Sequence, residues 1–124
     1  MQSRMSQFRV RQGDVLVLGL AARVAVATLS AVPVDGRRTV LAYGEVTGHA
    51  HALPAAQATL YGMSDDLAQL LGIAAQPGDR VLDVREDTAL THEEHDTIPI
   101  PAGQYLVRRQ REWTDADEPR QVAD

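Results

Sequence analysis

Hydrophobic positions along the chain fall into short runs separated by turn-forming residues, a pattern that predicts strands rather than long helices. After the turn Gln12-Gly13-Asp14, the run Val15-Leu16-Val17-Leu18 predicts the first core strand. Residues 21–34 carry Val24, Val26, Leu29, Val32 and Val34 without clean alternation and with Pro33 among them, which predicts a strand and then an irregular connection. Asp35-Gly36 is a turn signal. The stretch from Thr39 to Leu53 then predicts one long strand. In it Val40, Ala42, Gly44, Val46, Gly48, Ala50 and Ala52 share one side, and Leu41, Tyr43, Glu45, Thr47, His49, His51 and Leu53 the other. Gly44, Gly48 and Pro54 leave room for a bend or bulge.

Ala58 to Tyr61 predicts a further short strand. Ser64 followed by Asp65 and Asp66 supplies an N-cap and first-turn carboxylates for a short helix through Leu71, which Gly72 ends. Pro77-Gly78-Asp79 turns the chain into a half-buried strand over residues 80–86, and Gln104 to Trp113 predicts the last strand. The predicted fold class is all-β, a small barrel or sandwich that includes the double-stranded β-helix among its forms, with one short helix. Residues 1–113 form a single β domain in this reading, and 114–124 a polar C-terminal tail, helical or disordered.

Composition narrows the picture. At 124 residues and 44% hydrophobic content, the chain builds one core, and a formal charge of -5 argues against nucleic acid as an overall partner. Cysteine is absent, which excludes disulfides, thiolate nucleophiles and cysteine-held metals. All twelve basic residues are arginine, a usage that fits a GC-rich genome as well as any chemical need. The N-terminal stretch has no apolar core with a cleavage site, so a cytoplasmic location is expected. The apolar stretch from Val15 to Ala31 is interrupted by Arg23, Thr28, Ser30 and glycines, so no membrane span is expected. Neither a nucleophile-elbow serine nor a phosphate-binding glycine loop occurs.

The concentrated chemistry is histidine. All four histidines lie in two tight pairs, His49-Ala50-His51 and His92-Glu93-Glu94-His95. On a strand, positions two apart share a face, so His49 and His51 can offer both imidazoles to one metal at about 2.0–2.1 Å. The second pair is three apart and must lie in a turn if both rings bind. Glu93 or Glu94 can act as ligand, as a partner that orients an imidazole, or as a base. Imidazoles with a carboxylate suit a divalent transition metal, zinc by default, and not calcium or magnesium. The bland alternative is a solvated strand and an acidic loop whose histidines bond to neighbouring carboxylates. Arg108, Arg109 and Arg111 beside Trp113 can form an anion-binding strip, although arginines alternating on an edge strand do the same duty against aggregation.

The segments GEVTGHAH (44–51), LTHEEH (90–95) and YLVRRQREW (105–113), with Gln12-Gly13-Asp14-Val15, resemble a family of small proteins found in phage and bacterial genomes. That resemblance implies that the histidines belong together and implies no particular reaction. The chain also looks like a cupin in having a glycine before H-x-H and a later Pro101-Ala102-Gly103. It lacks the glutamate that should follow H-x-H, and it has Leu106 where a cupin's second motif places histidine. Two functions compete on these grounds. One is a metal-binding β domain, an enzyme on an unknown small molecule if it is catalytic, in which His49, His51, His92 and His95 hold the ion and Glu93 or Glu94 handles protons. The other is a noncatalytic, phage-related interaction or assembly protein that forms a homo-oligomer.

Overall fold

The computed structural model describes residues 5–113 and 119–121, and side chains through Gln110. Among the described residues the fold is all-β with one short helix. Strands β1 (Met5–Gln12), β2 (Val15–Leu20), β5 (Ala58–Gly62), β6 (Arg80–Val84) and β9 (Gly103–Arg109) form a five-stranded antiparallel sheet in the order β1-β2-β9-β6-β5. Three two-stranded ribbons complete the β structure: β3 (Arg38–Tyr43) with β4 (Ala50–Pro54), β7 (Thr88–Leu90) with β8 (Ile98–Ile100), and β10 (Arg111–Trp113) with β11 (Pro119–Gln121). Apart from 119–121, the tail expected over 114–124 lies outside the described residues. No helix among the described residues is long and apolar enough to cross a membrane.

Period-two patterning explains the layering. Val15, Val17, Leu60, Leu82, Val84, Tyr105 and Val107 point from one face of the large sheet, and Ala42, Leu53, Leu90 and Ile100 of the first two ribbons pack onto them. The opposite face carries Val81 and is covered by α1 (Asp65–Leu71) through Leu67 and Leu71. Ser64 caps that helix by accepting from the Leu67 amide at 3.1 Å, and Gly72 closes it at φ 70 in the left-handed region.

The structure corrects four expectations. Residues 21–34 form no strand: Val24, Val26 and Leu29 pack beside α1, and only Ala31 makes a bridge, to Tyr61. The long strand over 39–53 is the β3–β4 hairpin, because Gly48 at φ 88 turns the chain and two backbone bonds, Gly44 to His49 and His49 to Val46, close a loop between the strands. The strand at residue 80 is central and buried on both faces rather than half-buried, and even its Asp83 is buried. Strand β9 is likewise flanked on both sides rather than an edge. Its Arg108 pairs with Asp79 at 2.8 Å and its Arg109 with Asp14, which leaves neither guanidinium as an open strip.

Candidate functional site

One end of the large sheet collects the chain's polar interior. The β1–β2 turn brings Gln12 and Asp14 there, and the end of β9 brings Arg109. The β3–β4 hairpin delivers His49 from its loop and His51 from β4, while the turn between β7 and β8 delivers His92, Glu93, Glu94 and His95. An antiparallel bridge between Ala52 and Thr91 binds the two hairpins side by side, and that register sets His51 next to His92.

All four histidines meet. The His92 ring lies 4.3 Å from His51, 4.7 Å from His95 and 5.9 Å from His49, centroid to centroid, and His51 lies 5.8 Å from His95. His92 is therefore the hub that touches each of the others. His51 is fully buried, His92 is 8% exposed, and His49 keeps about a quarter of its side chain open to solvent. As the rings stand they pack face and edge, and among the described residues no three His, Asp or Glu groups are arranged to hold one ion.

Hydrogen bonds assign the ring protons. Gln12 donates its amide to the carbonyls of Leu90 and Asp96 at 3.1 and 2.9 Å, so its oxygen must face His51, whose Nδ1 lies 2.9 Å away. His51 therefore carries its proton on Nδ1, and Nε2 faces Asp14 Oδ1 at 4.0 Å. His49 Nδ1 lies 2.7 Å from Glu94 Oε1, an acceptor, so its proton is also on Nδ1. His92 is the reverse: its Nδ1 accepts from the Glu94 amide at 3.0 Å, which leaves the proton on Nε2. Buried Nε2 atoms of His92 and His95 have no hydrogen-bond partner among the described residues.

The carboxylates divide their work. Glu93 accepts from the Ala50 amide at 2.9 Å, a link that ties the second hairpin to the first. That bond, then one from its own amide, holds its carboxyl below the usual carboxylate range, helped by His49 and His92. Glu94 holds His49 instead and stays half exposed at the rim. Asp14, buried completely, takes Arg109 Nε at 2.7 Å and Nη2 on the same Oδ2 atom. A cleft of about 600 Å³ lined by Arg37, Arg38, Leu53, Pro54, Gln57 and Thr88 includes no histidine, so it is separate from the cluster.

Sequence reasoning named the four histidines and both glutamates, and the structure brings all six together. It missed Gln12 and Asp14, which read as turn formers, and Arg109, which read as an edge charge. The signal that could have found them is the Gln-Gly-Asp turn itself, where two polar side chains flank a glycine immediately before a fully apolar run.

Residues 11–110 match the family model described as a domain of unknown function (DUF8820), a span that contains every residue of this site. No curated protein and no solved structure matches the chain.

Proposed function

We propose, on the premise that the chain belongs to the DUF8820 family of domains of unknown function, that it is a metal-binding β domain. Its site is the histidine cluster, and its cofactor is a divalent transition metal, zinc first. The observation that supports this reading is the meeting of all four histidines, drawn from two separate hairpins, with ring centroids 4.3 to 5.9 Å apart around His92.

The chemistry around the rings favours it. His49 and His51 each give Nδ1–H to an oxygen, Glu94 and Gln12 respectively, which leaves Nε2 as the basic atom in the neutral ring. That is the tautomer a metal-binding imidazole needs, and an oxygen partner behind the ring fixes its angle and raises its basicity. Packing alone gives no account of burying His92 and His95 with unpartnered nitrogens, since each such atom costs about 1–3 kcal/mol. An ion bound through the His95 nitrogen would offset that cost there, and an acceptor arriving with the ion would offset it at the protonated His92 nitrogen. Binding would turn the rings from their face-and-edge packing so that nitrogens converge. Glu94, at the rim and bonded to His49, is the carboxylate positioned to handle protons if the site is catalytic, whereas the Glu93 carboxylate already serves the Ala50 amide.

Elemental analysis of untagged protein is the direct test, with about one transition metal per chain expected. The His49→Ala, His51→Ala double variant should lose that metal. A folded double variant that keeps the wild-type metal content would overturn the assignment.

A further inference from the structure

We infer that His92 serves this centre as a hydrogen-bond donor to an oxyanion and is not itself one of the metal ligands. The inference rests on the metal-binding reading above and assigns unequal roles within it.

A neutral imidazole has one donor and one acceptor nitrogen, and the nitrogen that accepts cannot carry the proton. His49 and His51 spend Nδ1–H on Glu94 and Gln12, which leaves Nε2 as the basic atom of each neutral ring. His92 has the opposite tautomer. Its Nδ1 lone pair is occupied by the Glu94 amide, a backbone donor fixed by the turn, and its Nε2–H is buried without a partner among the described residues. Ligation through Nδ1 would break the Glu94 bond, and ligation through Nε2 would require the proton to leave that nitrogen. His92 is nine-tenths buried and touches each of the other three rings, so the ring that carries this buried N–H lies at the heart of the cluster.

A buried N–H at the centre of nitrogen ligands calls for an acceptor. The acceptor that a cation in this site would bring with it is an anionic oxygen, held by the metal on one side and by the His92 N–H on the other. His49 and Glu94, about a quarter and half open to solvent, are members of the cluster that an anion can meet from outside. Glu94 thereby couples two roles: its backbone amide fixes the His92 tautomer and its carboxylate fixes that of His49.

The test uses the full chain loaded with cobalt(II), whose visible spectrum reports ligands, and formate as the probe anion. Glutamine places an amide N–H close to where histidine carries Nε2–H, so His92→Gln should keep one cobalt per chain and still bind formate. His92→Leu should keep the cobalt and bind formate about tenfold or more weakly, the worth of one hydrogen bond to an anion. Loss of cobalt from His92→Gln while wild-type protein binds it would overturn the donor role and leave the metal reading intact. Failure of wild-type protein to take up cobalt would instead sink the metal reading. Formate affinity in folded His92→Leu equal to wild type would also overturn the proposal. If His92→Leu does not fold, ring nitrogen NMR of metal-free wild-type protein decides. A protonated Nε2 on His92 beside protonated Nδ1 on His49 and His51 supports the proposal, and a protonated Nδ1 on His92 overturns it.

Discussion

The residue on which the site's geometry turns is Gln12. Its amide group makes three bonds at once, two as donor to the Leu90 and Asp96 carbonyls and one as acceptor from His51. No other uncharged side chain both donates twice and accepts at that length, and a carboxylate would set like against like at the two carbonyls. Gln12→Ala leaves a buried imidazole N–H and two carbonyls without partners, and a cost of about 3 kcal/mol is expected from urea unfolding of metal-free protein. A change below about 0.5 kcal/mol, the ordinary range for surface substitutions, would mean that the amide does not fix His51. This residue shows where legibility stops. The histidines stood out because residue type and spacing announce their chemistry. Glutamine announces nothing, and its role comes from a contact 78 positions away in sequence. The two glutamates show the same limit: their presence between the histidines was plain, but which one meets a ring and which a backbone amide depends on the β4–β7 register.

At the scale of elements, local signals were read well where local physics decides. The Ser64 cap, the Gly72 stop and the turn at Gly78 each depend on a few neighbouring residues, and the helix and β6 begin or end where those residues stand. Ser64→Ala removes one hydrogen bond to the Leu67 amide and is expected to cost about 1 kcal/mol in urea unfolding, with metal content unchanged because α1 covers the face of the sheet away from the ribbons. A loss of metal in that variant would show that the two faces are coupled. The segment from 39 to 53 was read less well. Alternation alone cannot distinguish one long strand from two short ones, because both present the same period of two. Gly48 held the missing information: its left-handed φ is what a tight return requires, and the return places His49 in the loop at the rim and His51 in the buried strand. Thus the H-x-H pair does not present two equivalent rings on one strand face, as the extended reading expected.

At the scale of the whole molecule, strand order was the least legible feature. Placing the late strand β9 between β2 and β6 converts the apparent edge arginines Arg108 and Arg109 into partners of the buried carboxylates Asp79 and Asp14, and no local pattern encodes that crossing. The same central strand provides a global test of stability. Tyr105 sits on β9 with its ring against Phe8 and its hydroxyl donating to the Pro101 carbonyl. Burial, and then the charge of Asp87, pushes its phenol above the ordinary value of 10.0. A phenol whose pKa is higher when folded keeps its proton longer in the native state, so its contribution is fully present below the unfolded value and is lost as pH rises through the folded one. Tyr43 is shifted the same way by its hydrogen bond to Asp35, but at an exposed position. Because the chain has no lysine and no cysteine, and arginine stays charged, few other groups titrate in that window. Unfolding free energy should therefore fall as pH rises past about 10, with tyrosinate absorbance of the native state lagging behind that of the urea-unfolded chain. Tyr105→Phe should be offset downward by about 1 kcal/mol for the lost hydrogen bond at neutral pH, where the phenol keeps its proton. It should also show a markedly shallower alkaline decline, since the buried phenol that drives the decline is gone. An alkaline slope as steep in Tyr105→Phe as in the parent would assign the loss of stability to other groups and remove the central strand's phenol from the account.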